Sequence, residues 1–179
     1  MNYYPLTTNT LTTLDKNNAI NVIKSGNITR GKYNIEVERF FSNKFNRYAL
    51  LVNSGSSANL LALSLMINKL GKYNFTKSDE IIIPTLCWST SLYPIIQMNL
   101  KPVFVDINTE SLNISIQQLK RKITSKTKAI MLVHALGNCT EMDEIVKICQ
   151  KNKIILIEDC CEALGSKYKN KYLGTFGKI

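Results

Sequence analysis

At 179 residues, 45% hydrophobic and 20% charged, the chain is long enough for one domain with a real core and ordinary in composition for a soluble globular protein. No apolar run reaches the roughly 20 residues needed to cross a bilayer, and the opening Met1-Asn2-Tyr3-Tyr4-Pro5-Leu6 lacks the basic and apolar regions of a signal peptide, so a cytoplasmic protein with no membrane partner is expected. The formal charge of +10 raises nucleic-acid binding, but the 23 Lys and Arg lie in short scattered clusters such as Lys120-Arg121-Lys122, without recognition helix, zinc-finger spacing or RNA-binding motif; a basic surface steering an anionic small substrate is expected instead.

The first 47 residues read as helical. A helix over 14–24 ends at Ser25-Gly26, a C-cap signal. A loop follows at 28–31, and a second helix spans 35–45 with Glu36 and Glu38 near its start, where the helix dipole favours acids. From residue 48 onward short β-rich runs at 48–52, 80–83, 102–105, 129–133 and 154–157 alternate with helical patterns at 57–69, 93–98, 116–122 and 141–151. In the last of these Met142, Ile145, Val146 and Cys149 share one face at i, i+3, i+4, i+7. The runs Ile81-Ile82-Ile83 and Ile154-Ile155-Leu156-Ile157 do not alternate with polar residues, as expected of strands covered on both faces. Residues 48–179 are therefore predicted to form an α/β domain with a mostly parallel sheet and helices on both faces. Its last residues, Leu173-Gly174-Thr175-Phe176-Gly177-Lys178-Ile179, bring neither a polar tail nor a closing helix, so the layer reads as truncated.

Three predicted strand ends carry groups with chemistry, and in open α/β sheets ligands collect at the carboxyl ends of strands. Asn53-Ser54-Gly55-Ser56-Ser57-Ala58 is a small-residue turn opening a helix, where backbone N–H groups and hydroxyls can approach an anion; capping of the helix by Ser56 or Ser57 is the plain alternative. Ile83-Pro84-Thr85-Leu86-Cys87-Trp88-Ser89-Thr90 places the sole tryptophan in a loop, as a ligand platform or a packed loop aromatic. Ile157-Glu158-Asp159-Cys160-Cys161-Glu162 sets acids directly after an apolar strand, for a metal, a cation or plain solvation. The five cysteines form no C-x-x-C pair and one histidine completes no zinc pattern, so small thiols in a reducing compartment and no metal are expected. Together an anion site, an aromatic face and a carboxylate suit a flat, phosphorylated, cationic heteroaromatic ligand, the description of pyridoxal phosphate.

The order and spacing of these motifs resemble the DegT/DnrJ/StrS family of sugar aminotransferases and dehydratases, which have the aspartate-aminotransferase fold (fold type I of the pyridoxal-phosphate enzymes). The resemblance runs over essentially the whole chain, from Tyr4-Pro5-Leu6 through Ser25-Gly26-Asn27-Ile28-Thr29-Arg30-Gly31, Pro102-Val103-Phe104-Val105-Asp106-Ile107 and Val133-His134-Ala135-Leu136-Gly137-Asn138 to the Gly-Thr-Phe-Gly element at 174–177. It implies that Gly55, Ser56 and Ser57 cradle the cofactor phosphate, that Trp88 stacks on the pyridine ring, and that Asp159 keeps the pyridinium nitrogen protonated. Glu162 stands where aminotransferases of the family usually carry glutamine near the cofactor's 3′-oxygen. Asn27, Thr29 and Arg30 match a loop near the substrate; His134 matches a frequent histidine with no role assigned. The family's Schiff-base lysine, or the histidine that replaces it in the dehydratase branch, falls beyond Ile179, as do the phosphate-binding serine and the small C-terminal domain, and Lys178 comes too early to be that lysine.

The resemblance thus implies an enzyme of nucleotide-linked 4-keto-6-deoxy sugars, in O-antigen or other polysaccharide synthesis, that uses pyridoxal 5′-phosphate with an amino donor such as glutamate and works as a homodimer. Glu162, Leu136-Gly137-Asn138 and the 53–59 segment look more like the branch that uses pyridoxamine 5′-phosphate to remove a 3-hydroxyl. A non-catalytic remnant, or a subunit needing a partner chain, is the alternative of another class.

Overall fold

The computed structural model describes residues 8–68 and 71–179; the N-terminal motif at Tyr4-Pro5-Leu6 and the end of the helix predicted over 57–69 lie outside or partly outside them. The chain divides into two compact units after Leu51. None of the helices among the described residues is long and apolar enough to cross a membrane.

The first unit holds α1 (Thr13–Ser25) and α2 (Lys32–Phe45). Thr12 opens α1 with a capping box: its hydroxyl accepts from the Asp15 N–H, and the Asp15 carboxylate accepts from the Thr12 N–H. Gly26 closes α1 in the left-handed conformation, as predicted. The second helix starts three residues earlier than expected, so Glu36 and Glu38 lie beyond its first turn and gain little from the dipole. Glu38 is instead buried, accepting from Arg30 Nη2 at 2.7 Å and from the Leu51 N–H at 3.2 Å.

The run 48–52, predicted as a strand, is not one: it pairs with no neighbour among the described residues, and Leu50 and Leu51 are exposed. Its composition suits a strand, but a strand exists only where a partner supplies the ladder hydrogen bonds.

The second unit is a parallel sheet of β1 (Glu80–Pro84), β2 (Lys101–Val105), β3 (Thr127–Val133) and β4 (Ile155–Asp159) in the order β2-β1-β3-β4. The helices α3 (Gly55–Ile67), α4 (Ser89–Gln97), α5 (Ile116–Lys122) and α6 (Met142–Asn152) flank it. The side-chain period of two sorts the core into two layers. Ile82, Val105, Ile130, Leu132 and Leu156 face α5 and α6, meeting Leu119, Met142, Ile145 and Ile148. Ile81, Ile83, Ala129, Met131 and Ile157 face α3 and α4, meeting Ala62, Leu63, Met66 and Ile95. Runs such as Ile81-Ile82-Ile83 are apolar throughout because each face of the sheet has its own helical cover. At the amino end of the sheet Glu80 binds Lys101 and the Thr124 hydroxyl, tying β1 to its surroundings away from the strand ends that carry the site.

Two features went unforeseen. A short hairpin of β5 (Lys167–Tyr168) and β6 (Lys171–Tyr172) turns through Lys169 and Asn170, both at positive φ. Residues 178 and 179 then run alongside β4 in its own direction, Lys178 donating to the Leu156 carbonyl and Glu158 to that of Ile179. Gly177 is required for this approach, since a Cβ there would lie 2.5 Å from the Leu156 oxygen.

Ile130 is fully buried in the central strand β3. Ile130→Ala is expected to lower unfolding stability by about 2–5 kcal/mol, read as a fall in the urea midpoint at unchanged denaturant slope.

Candidate functional site

Strand order reverses between β1 and β3: α4 carries the chain from β1 outward on one face, while α5 and α6 carry it back and beyond on the other. Ligands of open α/β sheets bind beyond the carboxyl ends of the strands at such a switch point, and here the segments after β1, β3 and β4 are joined there by side-chain hydrogen bonds.

Asp159 ends β4 on the α3 and α4 side. Its Oδ2 accepts from Asn59 Nδ2 at 2.8 Å and from Ser91 Oγ at 2.9 Å, and its Oδ1 accepts from the Cys161 N–H at 3.1 Å. Burial pushes the carboxyl up, but the bonds from Asn59, the Cys161 N–H and Ser91 outweigh it and hold Asp159 below the ordinary aspartate value. The Cys161 thiol adds a weaker bond to the same carboxylate.

The two helices that supply these donors also bring the other predicted residues. Asn59 lies four residues, about 6 Å of helix rise, from Gly55 at the start of α3. The cap of that helix is Ser54, whose Oγ accepts from the Ser57 N–H at 3.2 Å, and neither Ser56 nor Ser57 serves as cap. The N–H groups of Gly55 and Ser56 are left without intrahelical acceptors, and no atom would meet a Cβ built on Gly55 within 4 Å. Trp88 is the N-cap residue of α4, three residues before Ser91, and 74% of its surface is exposed. It is thus no packed loop aromatic.

Glu162 follows in the turn after β4, where its Oε2 accepts from the Leu136 N–H at 2.7 Å. Leu136 sits in the 3₁₀ turn Ala135–Gly137 with φ 55° and ψ 26°, a left-handed conformation costing a leucine roughly 1–2 kcal/mol. The carboxylate bond holds that strained turn beside the strand ends.

Glu158, one residue before Asp159, points to the opposite face and is fully buried with His134. Oε2 lies 3.0 Å from His134 Nε2 and accepts from the Gly174 N–H at 2.8 Å; Oε1 accepts from the Gly177 N–H at 2.5 Å. Burial raises its carboxyl, yet these donors more than offset it and hold Glu158 below the ordinary glutamate value. His134, Glu158 and Cys160 bring possible metal-ligand atoms within 4.8 Å of one another. Both carboxylate oxygens are already engaged, however, and burial first, then Glu158 and Asp159, push the Cys160 thiol up to about 12. The Glu158 carboxylate is thus fully engaged by hydrogen bonds, while His134 Nδ1 is buried without a partner.

Of the residues predicted to act, Gly55, Ser56, Ser57, Trp88, Asp159 and Glu162 stand at these strand ends and helix starts. Asn27, Thr29 and Arg30 belong to the first unit, where the Arg30 guanidinium is paired with Glu38. Asn59 and Ser91, the donors that fix Asp159, were not singled out: a polar residue inside a helix carries no sequence signal for a contact 100 or 68 residues away.

Residues 9–179 match the sequence model of the DegT/DnrJ/EryC1/StrS aminotransferase family. The chain belongs to that family. Among DegT/DnrJ/EryC1/StrS relatives, GDP-4-keto-6-deoxy-D-mannose 3-dehydratase of Escherichia coli O55:H7 is 44% identical over 176 residues, covering 97% of this chain and 45% of the relative. GDP-perosamine synthase of Escherichia coli O157:H7 is 38% identical over 181 residues, covering 100% and 48%. A solved structure of the E. coli 3-dehydratase with bound hydrated PLP superposes with a TM-score of 0.90 at 43% identity, covering 98% of this chain and 45% of that one. The chain therefore spans less than half the length of these relatives. An aminotransferase-fold large domain with a parallel sheet between helical layers, as the motifs implied, is the architecture observed.

An Asp159→Asn variant tests the electrostatics directly. Because folding lowers the Asp159 pKa, ionisation stabilises the folded chain above the unfolded value near 3.8, and this contribution is lost as pH falls through the folded value. Asp159→Asn is expected to lower the melting temperature at neutral pH, with the gap to wild type narrowing below about pH 4 in thermal melts across pH 3–7.

Proposed function

We propose that the chain is the cofactor-binding portion of an enzyme acting on nucleotide-linked 4-keto-6-deoxy sugars, with pyridoxal 5′-phosphate or pyridoxamine 5′-phosphate as cofactor. The observation that carries this reading is the Asp159 carboxylate, held ionised at a strand end by Asn59, Ser91 and the Cys161 N–H. Such a carboxylate suits a cationic ring nitrogen, and the residues around it fit the rest of the cofactor. The free N–H groups of Gly55 and Ser56 suit a phosphate, with the Ser57 hydroxyl as a further donor. The open space at Gly55 leaves room for it, and the exposed face of Trp88 suits a ring.

When bound, the cofactor supplies an electron sink for bonds broken next to the substrate's carbonyl carbon. The chain's own residues do the rest. Asp159 keeps a proton on the ring nitrogen; Trp88 covers one ring face and excludes water from it. Glu162, tied through Oε2 to Leu136, offers Oε1 to the 3′-oxygen. Asn27, Thr29 and Arg30 are assigned to the sugar nucleotide, which requires Arg30 to exchange Glu38 for the ligand. The amine or base that completes the reaction is assigned to sequence outside residues 1–179 or to a partner chain. A glutamate-class amino donor and a homodimeric holoenzyme belong to the same reading, with polysaccharide synthesis in the cytoplasm as its setting.

The 3-dehydratase reading is favoured over amino transfer by Glu162, an acid where glutamine is usual in the aminotransferase branch, and by the 44% identity to a 3-dehydratase against 38% to a perosamine synthase. The perosamine synthase likeness keeps the aminotransferase as the second reading.

Titration of the purified chain with each cofactor form, followed by absorbance and melting temperature, decides between a working site and a remnant. Saturable stabilisation is expected, reduced at least about tenfold in affinity by Asp159→Ala and by Trp88→Ala. A folded chain that binds neither form would overturn the reading.

A further inference from the structure

The buried pair behind β4 has no part in the proposed chemistry, yet it is bonded to the main chain of Asp159 and to the turn beside β4. The Glu158 carboxylate accepts from three donors: His134 Nε2 at the end of β3, and the N–H groups of Gly174 and Gly177 in the turn leading to the β4 edge. His134 in turn donates its backbone N–H to the Asp159 carbonyl at 3.0 Å. A closed circuit therefore runs from the Glu158 side chain through His134 to the main chain of Asp159.

We infer that Glu158 is a positioning residue of the candidate cofactor site, its carboxylate clamping His134 and the 174–177 turn so as to set where β4 presents Asp159 on the opposite face. A loop acid needs no such burial. A carboxylate taken wholly out of water persists only where fixed donors replace its hydration, and the three here come from two chain segments besides its own. The same clamp sets the direction of residues 177–179. Lys178 and Ile179 bond to β4 on either side of Ile157, at the Leu156 carbonyl and the Glu158 N–H, parallel to the strand.

No neutral group of the same shape replaces this carboxylate. A glutamine at 158 keeps one acceptor oxygen but turns an NH₂ toward either the Gly177 N–H or the Gly174 N–H and His134 Nε2, setting donor against donor. Gly177→Ala reaches the turn without altering the carboxylate, because its Cβ would lie 2.5 Å from the Leu156 oxygen and push the segment off β4.

Naming the site a cofactor site rests on the reading proposed above, so the test is made on the full chain without cofactor. Amide hydrogen exchange and the side-chain amide resonance of Asn59, which donates to Asp159, are followed by NMR in wild type, Glu158→Gln and Gly177→Ala. In wild type, Gly174 and Gly177 are expected to exchange at least about 100-fold more slowly than Asn170 in the neighbouring hairpin turn. Glu158→Gln is expected to speed exchange at Gly174 or Gly177 about tenfold or more and to shift the Asn59 resonance, with core amides such as Ile82 and Ile130 unchanged. Gly177→Ala is expected to speed exchange of the amides at positions 177 and 178 about tenfold or more. Fast exchange of Gly174 and Gly177 in wild type would overturn the clamp, whether or not the variants fold. Altered exchange in Glu158→Gln with an unmoved Asn59 resonance would reduce Glu158 to a structural role. If Glu158→Gln does not fold, the Asn59 resonance in Gly177→Ala decides: a shift supports the coupling, and its absence overturns it. Cofactor titration of wild type is scored separately, so a chain that binds no cofactor but shows the exchange and resonance changes loses the cofactor reading and keeps the clamp.

Discussion

Two carboxylates on successive residues of one strand are withdrawn from water on opposite sides, Glu158 wholly and Asp159 in part. Either one, buried without donors, would be protonated or would unfold the strand end. The surroundings of β4 are therefore arranged around their needs. The polar residues of α3 and α4 that reach inward, Asn59 and Ser91, serve Asp159; the turn at 174–177 and the ring of His134 serve Glu158. The apolar layers that fix those helices and that turn are what allow a handful of donors to hold the two charges. The surface pairs contribute far less: Lys120–Glu144, Lys169–Asp143 and Lys32–Glu36 are solvent-exposed, and such pairs add between nothing and about 1 kcal/mol each.

The layered sheet was legible because its signal is local and redundant. Apolar triplets bounded by turn residues, alternating with amphipathic helices, admit few arrangements other than a parallel sheet covered on both sides. The placement of candidate residues was legible where a motif couples residue type to a strand end, as with Gly55, Trp88 and Asp159. Reading failed where the deciding partner is remote. The run at 48–52 has the composition of a strand but no partner, and composition cannot report pairing. Glu158 read as one more acid in a loop because its three donors lie 16, 19 and 24 residues away, and two of them are backbone amides that no side-chain pattern announces. Asn59 and Ser91 were missed for the same reason, and Ser54 because three serines within four residues offer equivalent caps on paper.

The strained turn at Leu136 illustrates how the site spends conformational freedom. A leucine held at positive φ is unfavourable by itself, and the Glu162 bond that fixes it is an interaction between two strand ends, not within one. Arrangements of this kind persist when a position serves geometry more than stability.

The negative field of the strand ends has a second effect, on sulfur chemistry. Burial first, and then the neighbouring carboxylates, raise the thiols of Cys87, Cys160 and Cys161, to about 12 for Cys160 and about 11 for Cys161; Asp159 contributes to all three and Glu158 to Cys160. Cys161 is exposed and would otherwise be open to electrophiles. Since the thiolate is the reactive form, the charge suited to a cationic ring nitrogen also keeps the adjoining cysteines protonated at neutral pH. The sulfur beside Asp159 is in this way kept out of thiolate chemistry.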